Sequence, residues 1–177
     1  MESLLQKSGD HMDLIIRRAT VEDAERVAEI CRAGWLDTVD GILSDTYKQK
    51  TVDFWYSPAK VEQDVKKGHY SHVAEIDGGV AGVIGGGMTG THINEIFVFY
   101  VDKNFRYMGI GGQLLNTFTA HFRKKGAKEQ WASVQEGNAL GLPFYKRHGF
   151  EFQRMKETRT GTGEVQKSLR MMRVLGR

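Results

Sequence analysis

Apolar positions along this chain change their period several times, and each change marks an element. Residues 14–17, Leu-Ile-Ile-Arg, form a short strand pattern. The following Thr20-Val21-Glu22-Asp23 resembles a helix-capping segment, with Asp23 where Glu is usual. Ala24, Val27, Ala28 and Cys31 then fall on one helical face, and Gly34 is placed to close that helix. Residues 35–68 hold two weaker helical patterns, the second opened by Ser57 as N-cap with Pro58 behind it and ended by Gly68. Strand patterns at 71–76 and 80–85 flank Asp77-Gly78-Gly79, the chemistry of a tight hairpin turn. Residues 93–101 are apolar on both alternating faces, which predicts a central strand covered on both sides. A helix over 113–125 presents Leu114, Leu115, Phe118 and Phe122 on one face and ends in cations that suit its dipole. A strand at 130–134, a short helix through Phe144 and Tyr145 to Gly149, and a hairpin of 150–159 with 165–173 complete the chain. The order β α α α β β β α β α β β predicts an α/β (α+β mixed) fold, a seven-stranded mixed sheet with helices packed against it.

Composition narrows this picture little. The 177 residues are 40% hydrophobic and 27% charged, which fits one soluble domain over residues 12–177, with the polar residues 1–11 as a flexible leader. A net charge of +3 is too small to argue for nucleic acid, and no apolar run reaches membrane-spanning length. One cysteine, Cys31, permits no internal disulfide; without a secretory signal pattern at the start, a cytoplasmic address is expected. Cys31 lies on an apolar helix face, so a buried thiol is expected rather than a nucleophile. The histidines show no metal-ligand spacing, and no metal is expected.

The most informative stretch is Arg106-Tyr107-Met108-Gly109-Ile110-Gly111-Gly112, between the apolar strand and the following helix. A helix start exposes unpaired N–H groups and the positive end of the macrodipole, so an anion binds there without a lysine. Glycines so placed favour close backbone approach over helix stability. A P-loop is excluded, because no Gly-Lys-Ser/Thr string occurs. A dinucleotide fingerprint is spelled literally by Gly85-Gly86-Gly87-Met88-Thr89-Gly90, but a strand pattern follows it where a helix is required. Read at Gly109, the same fingerprint has Leu114 in place of its third glycine and too long a gap after the strand.

The whole segment from Glu95 through Gly112 to Leu115 resembles motif A of the GNAT N-acetyltransferase superfamily: a strand ending in Tyr-Val, then Gln/Arg-x-x-Gly-x-Gly/Ala, then a helix. Asn138-Ala139-Leu140-Gly141-Leu142-Pro143-Phe144-Tyr145-Lys146-Arg147-His148-Gly149-Phe150 is similar to a second stretch of that family. Asp102-Lys103 stands where proline is common, and Arg106 where glutamine is commoner. The resemblance implies a mostly antiparallel sheet with one splayed strand pair, acetyl-CoA as co-substrate, and direct acetyl transfer to a primary amine in a ternary complex.

Carried over residue by residue, it implies that the backbone of Phe99, Tyr100 and Val101 lines the pantetheine arm and that Arg106, Tyr107, Met108, Gly109, Ile110, Gly111 and Gly112 hold the pyrophosphate. Asn138 would bond the pantetheine or cap a helix. Glu95 is the candidate base, with an ion pair to Arg or Lys as its plainer role. Tyr145 is the candidate acid for the departing thiolate, with Phe144 assigned to the core. The segment after the first helix would form a wall of the acceptor pocket, with Trp35 and Tyr47 as candidate contacts beside Glu95. Its aromatic and acidic residues suit a cationic amine such as a polyamine or an amino sugar, and equally a dimer interface. Three classes stay open at this point: a small-molecule enzyme, a protein or peptide N-acetyltransferase, and a non-catalytic acyl-CoA-binding regulatory module. A homodimer is compatible with each.

Overall fold

A computed structural model describes residues 13–161 and 163–176; the expected leader at 1–11 lies outside them. The strands are β1 (Leu14–Arg18), β2 (His72–Ile76), β3 (Gly79–Met88), β4 (Ile93–Val101), β5 (Glu129–Gln135), β6 (Glu151–Arg159) and β7 (Val165–Val174). The helices are α1 (Ala24–Val39), α2 (Asp45–Trp55), α3 (Pro58–Lys66), α4 (Ile110–Lys124) and α5 (Gly141–Arg147). They form one seven-stranded sheet in the order β1-β2-β3-β4-β5-β7-β6. Only β4 and β5 run parallel; every other neighbouring pair is antiparallel.

Local chemistry explains much of this. Ser57 Oγ accepts from the Lys60 N–H at 3.2 Å with Pro58 at the first helical position, so α3 starts where its caps dictate. Asp77 and Gly78 both have positive φ, 49° and 86°, the backbone a two-residue hairpin demands. The apolar face of α4, built from Leu114, Leu115, Phe118 and Phe122, is buried against one side of the sheet with Ile96 and Ala132. The opposite side packs Val27, Ile30 and Cys31 of α1 against Val73, Val83 and Val98. Burial pushes the Cys31 thiol well above its ordinary value, as expected of a buried thiol.

Two expectations change, and a third element, the strand expected to end at 85, runs on to Met88. Gly34 does not close α1; the helix continues to Val39. A Cβ at Gly34 would overlap the Tyr100 ring, so this glycine serves close helix–sheet approach rather than termination. The glycines at 85–87 lie inside β3, where a Cβ on Gly86 would overlap the Glu95 carbonyl oxygen. The fingerprint spelled there is a strand packed tightly on its neighbour. Finally, β4 is not covered along both faces, since Phe97 is 52% exposed.

The register explains Phe97. Gly85 pairs with Val98 and Gly86 with Ile96, leaving Phe97 as an extra residue, a β-bulge. Side-chain direction changes across it. Ile96 packs with the α4 core, whereas two residues later Val98 packs with the α1 core, and Phe99 and Val101 have taken over the α4 side.

Candidate functional site

The bulge coincides with the end of β4–β5 pairing. Ile93 to Ile96 pair with Glu129 to Ala132, and no pairs follow, although both strands continue. The strands therefore diverge and leave one edge of β4 open. The Asp102 N–H donates to the Ala81 carbonyl of β3 at 2.8 Å. Alternation along the strand then turns the N–H and C=O groups of Val101 and Phe99 toward the open edge. These are the groups a linear amide-containing arm needs for strand-like pairing.

Beyond β4 the chain makes a short 3₁₀ turn at Lys103–Phe105 and enters the glycine-rich loop. Tyr107 has φ of 64°, and Gly109, the N-cap of α4, has φ of 80°. The first backbone bond of the helix runs from the Gln113 N–H to the Gly109 carbonyl at 3.2 Å. The N–H groups of Ile110, Gly111 and Gly112 therefore remain available at the positive end of a fifteen-residue helix. Tyr107 is 90% exposed, and its side chain stands clear of this cradle. Arg106 lies 3.9 Å from Asp37 on α1, and Met108 is exposed. The α4 helix begins at Ile110 rather than at 113, which places Gly111 and Gly112 inside its first turn.

The floor of the divergence is aromatic. Phe99 meets Phe144 edge-on at 5.3 Å and Tyr145 at 6.3 Å between ring centroids. Burial in these two rings is the reverse of that expected: Tyr145 is buried in the α4-side core, while Phe144 is half-buried. The reason is the short α5, which turns Tyr145 inward against Phe150 at 5.0 Å. Burial holds the Tyr145 phenol well above its ordinary value, so it stays protonated, and its hydroxyl oxygen, which is not a fully buried atom, makes no hydrogen bond among the described residues. The Asn138 carboxamide oxygen accepts from the N–H groups of Leu140 and Gly141 at 3.2 and 2.9 Å, which is the capping role. Tyr100 is engaged against Gly34 on the α1 side.

Glu95 lies before the bulge, where the cross-strand row runs Glu95, Trp131, Met172. Its Oε1 accepts from Arg170 Nη1 at 2.6 Å, and its Oε2 has no partner among the described residues. The side chain is 23% exposed. Sequence reasoning missed Arg170; it stands on β7, 75 positions from Glu95, and no local pattern marks it. The acceptor-wall residues divide: Tyr47 lines a groove with Lys50, Thr51, Phe54, Trp55 and Gly161, whereas Trp35 is half-buried on α1 outside that groove. Among the described residues no group of His, Cys, Asp or Glu is arranged to hold a metal, and no helix is long and apolar enough to cross a membrane.

A diverging strand pair beside a helix start lined with free N–H groups is the architecture of an acyl-CoA-dependent acetyltransferase. The chain belongs to the acetyltransferase (GNAT) family, whose model matches residues 35–150, and it is an enzyme of the N-acetyltransferase class. It is 26% identical over 144 residues to a spermidine N(1)-acetyltransferase of Thermoplasma acidophilum, covering 79% of this chain and 89% of that protein. Its fold is similar to that of the PaiA N-acetyltransferase of Thermoplasma acidophilum in complex with coenzyme A, with a TM-score of 0.78 at 24% identity over 93% of this chain and all of that one. It is also similar to YncA of Salmonella typhimurium with acetyl-CoA, with a TM-score of 0.67 at 20% identity over 93% and 95% of the two chains.

Proposed function

We propose that this protein transfers the acetyl group of acetyl-CoA directly to a primary amine held on the α1 side of the sheet. The observation that carries the reading is the end of β4–β5 pairing after Ile96, next to the N–H groups of Ile110 to Gly112. The open edge at Phe99 and Val101 suits the pantetheine amides, and the loop from Arg106 to Gly112 suits the pyrophosphate. The fold neighbours solved with coenzyme A or acetyl-CoA support this choice of donor.

An aliphatic amine is almost wholly protonated at neutral pH and must lose a proton before it attacks. Glu95 is suited to accept that proton through its free Oε2, directly or by way of water. The amine nitrogen forms a bond to the thioester carbonyl carbon, the carbon–sulfur bond breaks, and the thiolate takes a proton. Tyr145, kept neutral by burial and unbonded at its hydroxyl, is suited to supply it. The presence of both groups favours an enzyme over a non-catalytic acyl-CoA-binding module.

Thiol release from acetyl-CoA, followed with a panel of amines, amino sugars, polyamines, amino acids and peptides, tests the reading. Amine-dependent release that falls in Glu95→Gln is expected. Tight coenzyme A binding with no amine-dependent release from any member would overturn it.

A further inference from the structure

We propose that the acceptor carries an acidic group beside its amine, and that Arg170 and Arg154 read that group. This rests on the N-acetyltransferase reading and names its substrate class.

Past Glu95, the α1 side of the sheet continues as successive cross-strand rows. The row of Glu95, Trp131, Met172 and Glu151 is followed by Ser133, Arg170 and Arg154, and then by Gln135, Ser168 and Lys156. Register partners share a face, so Arg154 and Arg170 stand directly opposite each other, a like-charge pairing that is unfavourable unless an anion joins it. Among the described residues neither Arg154 nor Lys156 has an ion-pair partner, and Arg170 has Glu95 alone. Arg170 commits only Nη1, to Glu95 Oε1 at 2.6 Å and Ser133 Oγ at 2.8 Å, while its guanidinium lies 5.1 Å from the centre of the Trp131 ring. Its Nε and Nη2 have no partner among the described residues and are not buried atoms, so that edge is open to a ligand. That edge of a guanidinium is one that grips a carboxylate with two parallel hydrogen bonds.

A second donor points the same way. Gln135 Nε2 is buried without a hydrogen bond, the one such side-chain atom among the described residues, although Gln135 Oε1 accepts from Gln166 at 2.8 Å. A buried unpaired donor costs on the order of 1–3 kcal/mol, which an oxygen brought by a ligand would relieve. The face as a whole balances its charges, with Glu129 and Glu151 beside Glu95. Glu129, however, already accepts from the Trp131 indole at 3.0 Å, and the row of Arg170 itself sets two guanidinium groups side by side with no carboxylate in it. Of the acids on the helical wall, Asp37, Asp45 and Asp53 have basic neighbours of their own, Arg106, Lys48 and Arg32, which leaves Asp40 at the end of α1 without an ion pair among the described residues. An amino acid or the end of a short peptide, with an acid close to its amine, matches the neighbouring Glu95 and Arg170 better than a polycation, which would leave the Arg170–Arg154 row unneutralised.

Initial rates of thiol release decide the matter, measured for amino acids and dipeptides, their C-terminal amides, and spermidine, with the wild type, Arg170→Gln and Arg154→Gln. The expected result is a kcat/KM for acids about tenfold or more above that for amides, a ratio collapsing toward one in Arg170→Gln. Arg154 is exposed, so Arg154→Gln keeps the fold even if the other variant does not, and it is expected to shrink the ratio about threefold. Amides or spermidine turned over as well as acids, or a ratio unchanged in both variants, would overturn the proposal and leave the transferase reading standing. No release with any amine, despite acetyl-CoA binding, would bring down that reading and this proposal with it.

Discussion

Gly34 of α1 lies directly against the Tyr100 ring of β4, with no room between them for a methyl group. This contact sets how closely α1 approaches the strand whose other edge is open. Gly34→Ala must therefore push the helix away or turn the ring, and overpacking of this kind costs about 1–3 kcal/mol. Denaturant unfolding should show a lower midpoint with unchanged slope. An unchanged midpoint would mean that the helix yields freely here.

At the mouth of α4, affinity should depend on backbone shape more than on side-chain charge. Gly109 has φ of 80°, and a β-branched residue adopts this conformation only at a cost of roughly 1–2 kcal/mol. Gly109→Val is expected to weaken coenzyme A binding about tenfold, more than Arg106→Ala, whose side chain is turned toward Asp37. Calorimetric titration ranks the two, and an equal or greater loss from Arg106→Ala would refute the backbone account.

Tyr145→Phe removes one hydroxyl from a packed ring. If that hydroxyl supplies the thiolate proton, kcat should fall about a hundredfold with little change in coenzyme A affinity. Full retention of kcat would assign the proton to another source.

The same burial makes the fold sensitive to alkali. Tyr56, Tyr70, Tyr100 and Tyr145 are all held above their ordinary value of 10.0, chiefly by burial. The unfolded chain releases these protons near pH 10 while the folded chain retains them. Their contribution to stability is thus present below that pH and is lost as the pH rises beyond it. Unfolding free energy that stays level above pH 10 would contradict this.

His72 gives the corresponding acid limb. Burial, then the charge of Arg18 and the neighbouring His121, lower it from 6.5 to about 4, and its Nδ1 lies 2.6 Å from Ser71 Oγ. Folding keeps the ring neutral, whereas the unfolded chain protonates it below about 6.5. Stability should therefore decline as the pH falls from 6.5 toward 4, and His72→Gln should flatten that decline. An identical acid limb in the variant would place its origin elsewhere.

Much of this was legible along the chain. The order of seven strands and five helices follows from local periodicity and punctuation, and Ser57, Pro58 and Asp77-Gly78 act where their chemistry predicts. Motif A is local as well, since a strand, a loop and a helix start are consecutive in sequence. What could not be read depends on partners far away. Gly34 has the local chemistry of a terminator, but a ring 66 positions later decides its role. Phe144 and Tyr145 are adjacent aromatics, and only the docking of α5 decides which one turns inward.

The sequence by itself determined the family, the glycine-rich loop that opens α4 and the order of elements, because each rests on neighbours within a few turns of chain. Tertiary structure alone decided the bulge at Phe97, the divergence of β4 from β5, and the meeting of Glu95 with Arg170 across β5. Register between strands is set by the packing of whole faces, and a one-residue shift exchanges those faces. The orientation of Glu95, and with it the chemistry available to an acceptor, is therefore a property of the assembled sheet.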